Sequence, residues 1–348
     1  MIISAGLRQA LVCGVRSNSR KCKALAPCIR ASLHSSSPST QHQGIPHPEH
    51  LLTAVLSGFL APYTERTPSA EAAVAEIEDW LPDAVIGFDH FAFRTMGLPH
   101  LGIPSVARWF EDLGYSKGGA FEFPKKKLRA SWYSPPQPDL PRLFVSELKV
   151  EEMSPQAQEI IQKYVGGALI GAEAFGRYGP ATGFFGVTPW EPPSVEDYRA
   201  LSQESEYAAW VLVNAYSLNH CTVAVHRLQG LEGGIYAVNT YLKERGLNLS
   251  QEGGETKVSP DGLLLQSSTV ADGVPITFRG GETLVVPGSY IEFAERLVLP
   301  EYAHLKAEDV EEWHRRDGFE AASADKIFES TTAAAQQLGT MQSSNPSS

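Results

Sequence analysis

Phe88-Asp89-His90-Phe91-Ala92-Phe93-Arg94-Thr95 and Asn219-His220-Cys221-Thr222-Val223-Ala224 share one layout: a short polar residue, a histidine, then apolar and small residues along a strand. The two histidines stand 130 positions apart, and each segment is followed by a helical pattern and by further strand patterns. Two half-buried strands can match by chance. The sharper reading is a duplicated β-rich module, about 84–190 and 215–300, in which each copy presents a histidine from its first strand to a shared cleft.

Around these strands the periodicity predicts helices over 48–61, 104–113, 154–165, 194–213, 233–245, 305–317 and 323–338. Ser194 is placed to cap the fourth, with Glu196 and Asp197 favouring its positive end. Strands are expected over 84–95, 128–134, 142–149, 182–188, 217–228, 274–279 and 288–299, bounded by Gly and Pro turns. Single helices alternating with groups of strands indicate an α+β fold.

Charge divides the chain. Of 29 basic residues, six (Arg8, Arg16, Arg20, Lys21, Lys23 and Arg30) lie within 1–48, where there is no acidic residue. Beyond them 23 basic residues face 40 acidic ones, so the net charge of -11 is a basic leader on an acidic body of -17. The leader, with Ser and Arg but no acid, has the composition of a transit peptide, for plastid first and mitochondrion second. The acidic body argues against nucleic acid or anionic lipid as partner. No stretch reaches the roughly 18 apolar residues of a membrane span, so the body is read as soluble. The tail 339–348 reads as disordered and 49–338 as the working domain. Cys13, Cys22 and Cys28 fall in the leader, which leaves Cys221 alone in the body. Any metal there must be held by histidine and carboxylate.

A mononuclear iron site of the two-histidine, one-carboxylate kind needs two neutral imidazoles and a carboxylate on one face of the ion, with the other positions open. His90 and His220 supply the first two. Glu292, in Ser289-Tyr290-Ile291-Glu292-Phe293-Ala294-Glu295-Arg296, is the third, because a carboxylate between Ile291 and Phe293 is costly to bury unless paired or bound to a cation. The ordinary alternatives are core histidines and an ion pair from Glu292 to Arg296 or Arg94. Glu147, in Phe144-Val145-Ser146-Glu147-Leu148, is a competing carboxylate and a candidate partner for orienting a ligand histidine or the substrate. His226 shares parity with His220, but six strand residues span roughly 20 Å, so the two cannot share an ion. His100, His304 and His314 read as surface residues. Arg94 follows His90 by four residues on the same strand face, about 13 Å along the backbone. It is the natural bidentate partner for a substrate carboxylate, or else half of a structural ion pair.

The first of these stretches, together with Phe144–Leu148, Tyr290–Arg296, Arg316-Asp317-Gly318-Phe319-Glu320 and Ala324-Asp325-Lys326-Ile327-Phe328-Glu329-Ser330-Thr331, resembles the 2-oxoadipate dioxygenase/decarboxylase family. The likeness runs from about residue 50 to 335, with the motifs in order. It implies a vicinal-oxygen-chelate-like fold with an Fe(II) centre. It also implies conversion of 2-oxoadipate and O₂ to D-2-hydroxyglutarate and CO₂ in lysine catabolism, without added 2-oxoglutarate. By motif, the ligands carry over to His90, His220 and Glu292, and the catalytic, substrate-binding arginine to Arg94. The segment around His220 is shorter and less distinctive than the others. Ser330 is the candidate for gripping the distal carboxylate. The substrate is its own reductant, so no protein nucleophile is required. Competing readings are a glyoxalase, isomerase or ring-cleaving dioxygenase of the same fold, or a non-catalytic plastid scaffold.

Overall fold

The computed structural model describes residues 48–99, 101–166 and 172–328. In chain order the elements are α1 (Pro48–Arg66), α2 (Pro68–Trp80), β1 (Phe88–Met96), α3 (Ile103–Glu111), β2 (Ser116–Phe123), β3 (Leu128–Ser134), β4 (Arg142–Leu148), α4 (Pro155–Tyr164) and α5 (Ala172–Tyr178). Then come α6 (Val195–Glu204), α7 (Glu206–Asn214), β5 (Leu218–Ala224), α8 (Gly234–Glu244), β6 (Lys257–Val258), β7 (Leu264–Ser268), β8 (Gly273–Thr277), β9 (Thr283–Pro287), β10 (Tyr290–Arg296) and α9 (Ala321–Ile327).

Eight strands form one mixed sheet in the order β2-β3-β4-β1-β5-β10-β7-β6, and β8 and β9 form a separate hairpin. The same path is traced twice. β1, α3, β2, β3 and β4 end with β4 parallel to β1. β5, α8, β6, β7 and β10 end with β10 parallel to β5, the hairpin being inserted before β10. Antiparallel β1 and β5 join the halves at the centre. The architecture is α+β, as expected.

Both central strands are buried along their length, which means that both faces of the sheet are covered. One face carries Phe91, Phe93, Cys221, Val223, Ile291 and Phe293, all fully buried. On it α1 and α3 pack through Phe59 and Phe110, with ring centroids 4.9 and 6.0 Å from Phe93. The opposite face carries the histidines. Among the described residues no helix is long and apolar enough to cross a membrane.

Several elements differ from the expectation. The helix expected over 194–213 is two, because Ser205 takes an extended backbone (φ -149°) and its hydroxyl accepts from Ala208 N at 3.1 Å to start α7. Ser194 caps α6 as predicted. The strand expected over 182–188 is instead the end of the 3₁₀ run Gly179–Phe185. There Gly183 packs so closely that a Cβ would lie 2.6 Å from Tyr216 O, and Phe184 meets Phe59 edge-on. The expected helix over 305–317 is a pair of 3₁₀ turns, one closed by reciprocal Glu311 and His314 caps. Helix 323–338 is seen as Ala321–Ile327. Its remainder from residue 329, the leader through residue 47, His100, Ser330 and the tail 339–348 all lie outside the described residues.

Candidate metal centre

The pairing of β1 with β5 is interrupted twice, and both interruptions fall on the short polar residue before a histidine. Phe88 pairs with Val223 and His90 with Thr222, so Asp89 is an extra residue on β1. Ala92 pairs with His220 and Phe93 with Leu218, so Asn219 is an extra residue on β5. A bulge breaks strict alternation and lets adjacent side chains share a side. Asp89 Oδ1 thereby accepts from His90 Nδ1 at 2.8 Å, and Asn219 Oδ1 lies 3.0 Å from His220 Nδ1. An ionised carboxylate only accepts, so the His90 proton is fixed on Nδ1 and Nε2 faces inward with its lone pair. Thr222 Oγ1 lies 3.0 Å from that Nε2.

Glu292 on β10, flanking Thr222 in the ladder, completes the group. Its Oε2 lies 3.1 Å from His220 Nε2 and 3.6 Å from His90 Nε2 but makes no well-directed hydrogen bond to either. Oε1 accepts from Gln266 Nε2 at 2.6 Å. Among the described residues, His90, His220 and Glu292 form the one group whose ligand atoms lie within 4.8 Å of each other, and all three are buried. Burial would raise the Glu292 carboxyl, but the two imidazoles outweigh it and hold its pKa at about 2. Burial would also lower His90, yet Glu292 and Asp89 raise it, whereas for His220 burial prevails and its pKa is lowered. A buried carboxylate with an oxygen lacking a directed donor, opposed by two inward imidazole nitrogens, fits a divalent cation.

Arg94 shares the face of His90 and is 2% exposed. Its Cζ lies 5.1, 5.3 and 5.9 Å from the ring centroids of Tyr207, Trp210 and Phe328, and Nη2 donates to Phe328 O at 3.4 Å. The arginine lines a cavity of about 230 Å³ together with Lys125, Lys126, Lys127, Met153 and Tyr207, and none of His90, His220 and Glu292 lines it. Glu292 pairs with neither Arg94 nor Arg296. Arg296 is committed to Asp89, with Nε to Oδ2 at 2.6 Å and Nη2 to Oδ1 at 2.9 Å.

Glu147 is not a partner of the cluster. It stands beside Thr95, one residue out of phase with His90 and Arg94, and so points to the opposite face. There it pairs with Arg129, and Oε2 accepts from Ile103 N at 2.7 Å, capping the N-terminus of α3. Gly102 (φ +72°) makes room for it, since a Cβ there would fall 2.1 Å from Oε2. A larger cavity of about 960 Å³ lies around Glu147, Arg129 and Tyr133 and includes no member of the cluster. His226 sits in the turn after β5, 3.4 Å from Glu312 and apart from the cluster. His304 is exposed, whereas His314 is 7% exposed and caps a turn, contrary to the surface reading. Asp89 and Asn219 belong to the repeated layout in the sequence, but strict strand alternation points each away from its histidine. Gln266, Thr222, Tyr207 and Trp210 carried no local signal.

A twice-traced βαβββ sheet with inward histidines at its centre defines a vicinal-oxygen-chelate-like protein. A solved structure from Ralstonia eutropha JMP134 named as a putative glyoxalase superfamily protein shares this fold, at 21% identity and a TM-score of 0.61 over 81% of this chain and 97% of that one. The chain belongs to the 2-oxoadipate dioxygenase/decarboxylase family, whose sequence model matches residues 63–169 and 181–311. A relative from Oryza sativa subsp. japonica, named 2-oxoadipate dioxygenase/decarboxylase, chloroplastic/amyloplastic, is 45% identical over 315 residues, 87% of this chain and 85% of the relative. A crystal structure of the hydroxyglutarate synthase from Oryza sativa, in complex with 2-oxoadipate, is 44% identical with a TM-score of 0.79, over 87% of this chain and 99% of that one.

Proposed function

We propose that the chain is a plastid Fe(II)-dependent 2-oxoadipate dioxygenase/decarboxylase acting in lysine catabolism. The observation that carries this is the buried His90, His220 and Glu292 group with Arg94 four residues beyond His90 on the same face of β1. Family membership and the named relatives support the reaction, and the acid-free leader with a relative named chloroplastic/amyloplastic supports the compartment.

The reaction balances as 2-oxoadipate plus O₂ giving 2-hydroxyglutarate plus CO₂, with one oxygen atom in the new carboxylate and one in the hydroxyl. His90, His220 and Glu292 would hold Fe(II), which would supply open coordination positions and one-electron steps for O₂, while the electrons that reduce O₂ come from the substrate itself. The protein's own part is positioning. Arg94 takes the distal carboxylate as a charge-assisted pair. Tyr207, Trp210 and Phe328 around its guanidinium keep water away and strengthen that pair. Asp89 and Asn219 hold the imidazoles with Nδ1 engaged. Glu292 stays ionised at physiological pH, so it is available as an anionic ligand for a divalent cation.

The test is to load the protein anaerobically with Fe(II) and 2-oxoadipate and then admit ¹⁸O₂. One CO₂ per turnover and label in both the carboxylate and the hydroxyl of 2-hydroxyglutarate are expected. Product without label, or full activity after complete chelation, would overturn the assignment.

A further inference from the structure

Arg296 is 1% exposed at the end of β10, four residues beyond Glu292, and no step above uses it. Its donors point in two directions. Nε and Nη2 grip both oxygens of Asp89, the residue that orients His90. Nη1 donates to the carbonyl oxygens of Arg316 at 3.1 Å and Gly318 at 2.7 Å. Those carbonyls belong to the strap Glu312–Phe319. The Phe319 ring lies 4.8 Å from the His90 ring and 5.6 Å from Arg296 Cζ, so the same strap covers both.

Arg142 makes a second tie. Its Nε donates to Asp317 Oδ1 at 2.8 Å, and Nη1 lies 3.3 Å from Glu312 Oε1 and 3.8 Å from Asp89 Oδ2. Two buried guanidinium groups therefore join one carboxylate to one covering segment. His220 has no such tie. Asn219 and the stacked Tyr290 ring, 4.7 Å away, support it from within its own half, and among the described residues Asn219 Nδ2 has no hydrogen-bond partner.

We propose that Arg296 is a positioning residue that couples the orientation of His90 to the seating of the Glu312–Phe319 strap. Metal retention then depends on a segment that contributes no ligand. When the strap lifts, Arg296 loses two carbonyl acceptors, the Asp89 fork loosens, and His90 loses both its ring cover and its fixed proton acceptor. The strap thus acts on the metal from the His90 side alone. This inference rests on the metal-centre reading above.

The experiment titrates the metal-free full chain with Co(II), read by visible d–d absorption, with affinity from chelator competition. Arg296→Lys keeps the charge but loses the planar fork. It is expected to weaken Co(II) binding about 10- to 100-fold and to change the absorption envelope. Asp317→Asn touches neither Asp89 nor the cluster, and the Asp317 side chain is 58% exposed. It is expected to weaken binding a few-fold in the same direction. Because the two act through one network, the double variant should lose less than the product of the single losses. Wild-type affinity and spectrum in both variants, or a lowered melting temperature with an unchanged spectrum, would overturn the coupling. If Arg296→Lys does not fold, Asp317→Asn decides alone. Failure of the wild type to bind Co(II) would instead remove the metal reading itself.

Discussion

The two halves of the sheet put a histidine at the same place and then part company. In the first half His90 lies beside Arg142 and Ala92 beside Phe144, while in the second His220 lies beside Tyr290 and Thr222 beside Glu292. The position that yields a carboxylate ligand in the second half is therefore Phe144 in the first. Four residues beyond the histidine the order reverses: the first half has Arg94, the second Ala224. In the function proposed above, the second half answers the cation's charge through Glu292 and the first half the substrate's through Arg94. Identical scaffolding fixes both distances, and two side-chain exchanges divide the work.

Removing that division on the metal side gives the largest effect. Glu292→Ala leaves two imidazoles and an unpaired Gln266 amide, and bound metal and turnover should both fall by far more than the ~100-fold ceiling of changes behind a ligand. Metal analysis of the purified protein alongside O₂ uptake reads this. The mirror change, Phe144→Glu, makes the halves alike. It should keep metal in the folded fraction but fill a position the substrate needs, so turnover fails while metal content persists.

The substrate side ranks next. A buried charge-assisted fork is worth about 3 kcal/mol, or roughly 100-fold. Arg94→Ala should lower kcat/KM for 2-oxoadipate by about that factor with metal content unchanged. Arg94→Lys should recover part of the loss, since it keeps charge but not the fork. An unchanged kcat/KM in Arg94→Ala would remove its role.

Much of this division was legible before folding was considered, because β1, β5 and β10 are strands with strong apolar patterning and their special residues interrupt it. His90, His220, Glu292 and Arg94 announce themselves as polar residues on a face that should be apolar. Glu147 announces itself equally well and misleads. Parity within one strand cannot say which face of the sheet bears the site, and only the register of β4 against β1 puts Glu147 under α3. The bulges at Asp89 and Asn219 were equally out of reach, since strict alternation predicts that each points away from the histidine it supports. β2 went unread because Ser116-Lys117-Gly118-Gly119 has no apolar alternation, as suits an exposed sheet edge.

The halves should also respond differently to acid. His220 is backed by an amide that does not titrate. His90 is backed by Asp89, which burial would raise but which Arg296, His90 and Arg142 hold well below its usual range. Glu312 in the strap is likewise depressed against burial, by His226 and Arg227. A carboxylate with a lowered folded pKa contributes stability above its unfolded value of about 4, and that contribution is lost as pH falls through the folded value. The melting temperature of the metal-free protein should therefore hold from neutral pH to about 5 and fall steeply below 4. Glu312→Gln should cost about 1–3 kcal/mol at neutral pH and flatten part of that fall. An unchanged acid profile in the variant would mean that the strap ion pairs contribute nothing.

The smallest effect belongs to the mouth of the substrate half. A dianion approaches a chain of net charge -11, yet the cavity at Arg94 opens between Lys125, Lys126 and Lys127. Lys126 pairs with Asp325 at 3.0 Å and Lys127 with Glu204 at 3.4 Å, so their fields are partly cancelled nearby. Lys125 is exposed on the rim, and Glu206 lines the same cavity. Exposed charge of this kind raises the local concentration of an oppositely charged substrate without touching the chemistry, and salt screens it over about 10 Å at 0.1 M. Lys125→Glu should lower kcat/KM for 2-oxoadipate about two- to five-fold at low ionic strength, with kcat unchanged. The difference should vanish near 1 M salt, where screening acts within about 3 Å. A loss that persists at high salt would mean that Lys125 touches the substrate, and the rim would then belong to the binding site as Arg94 does.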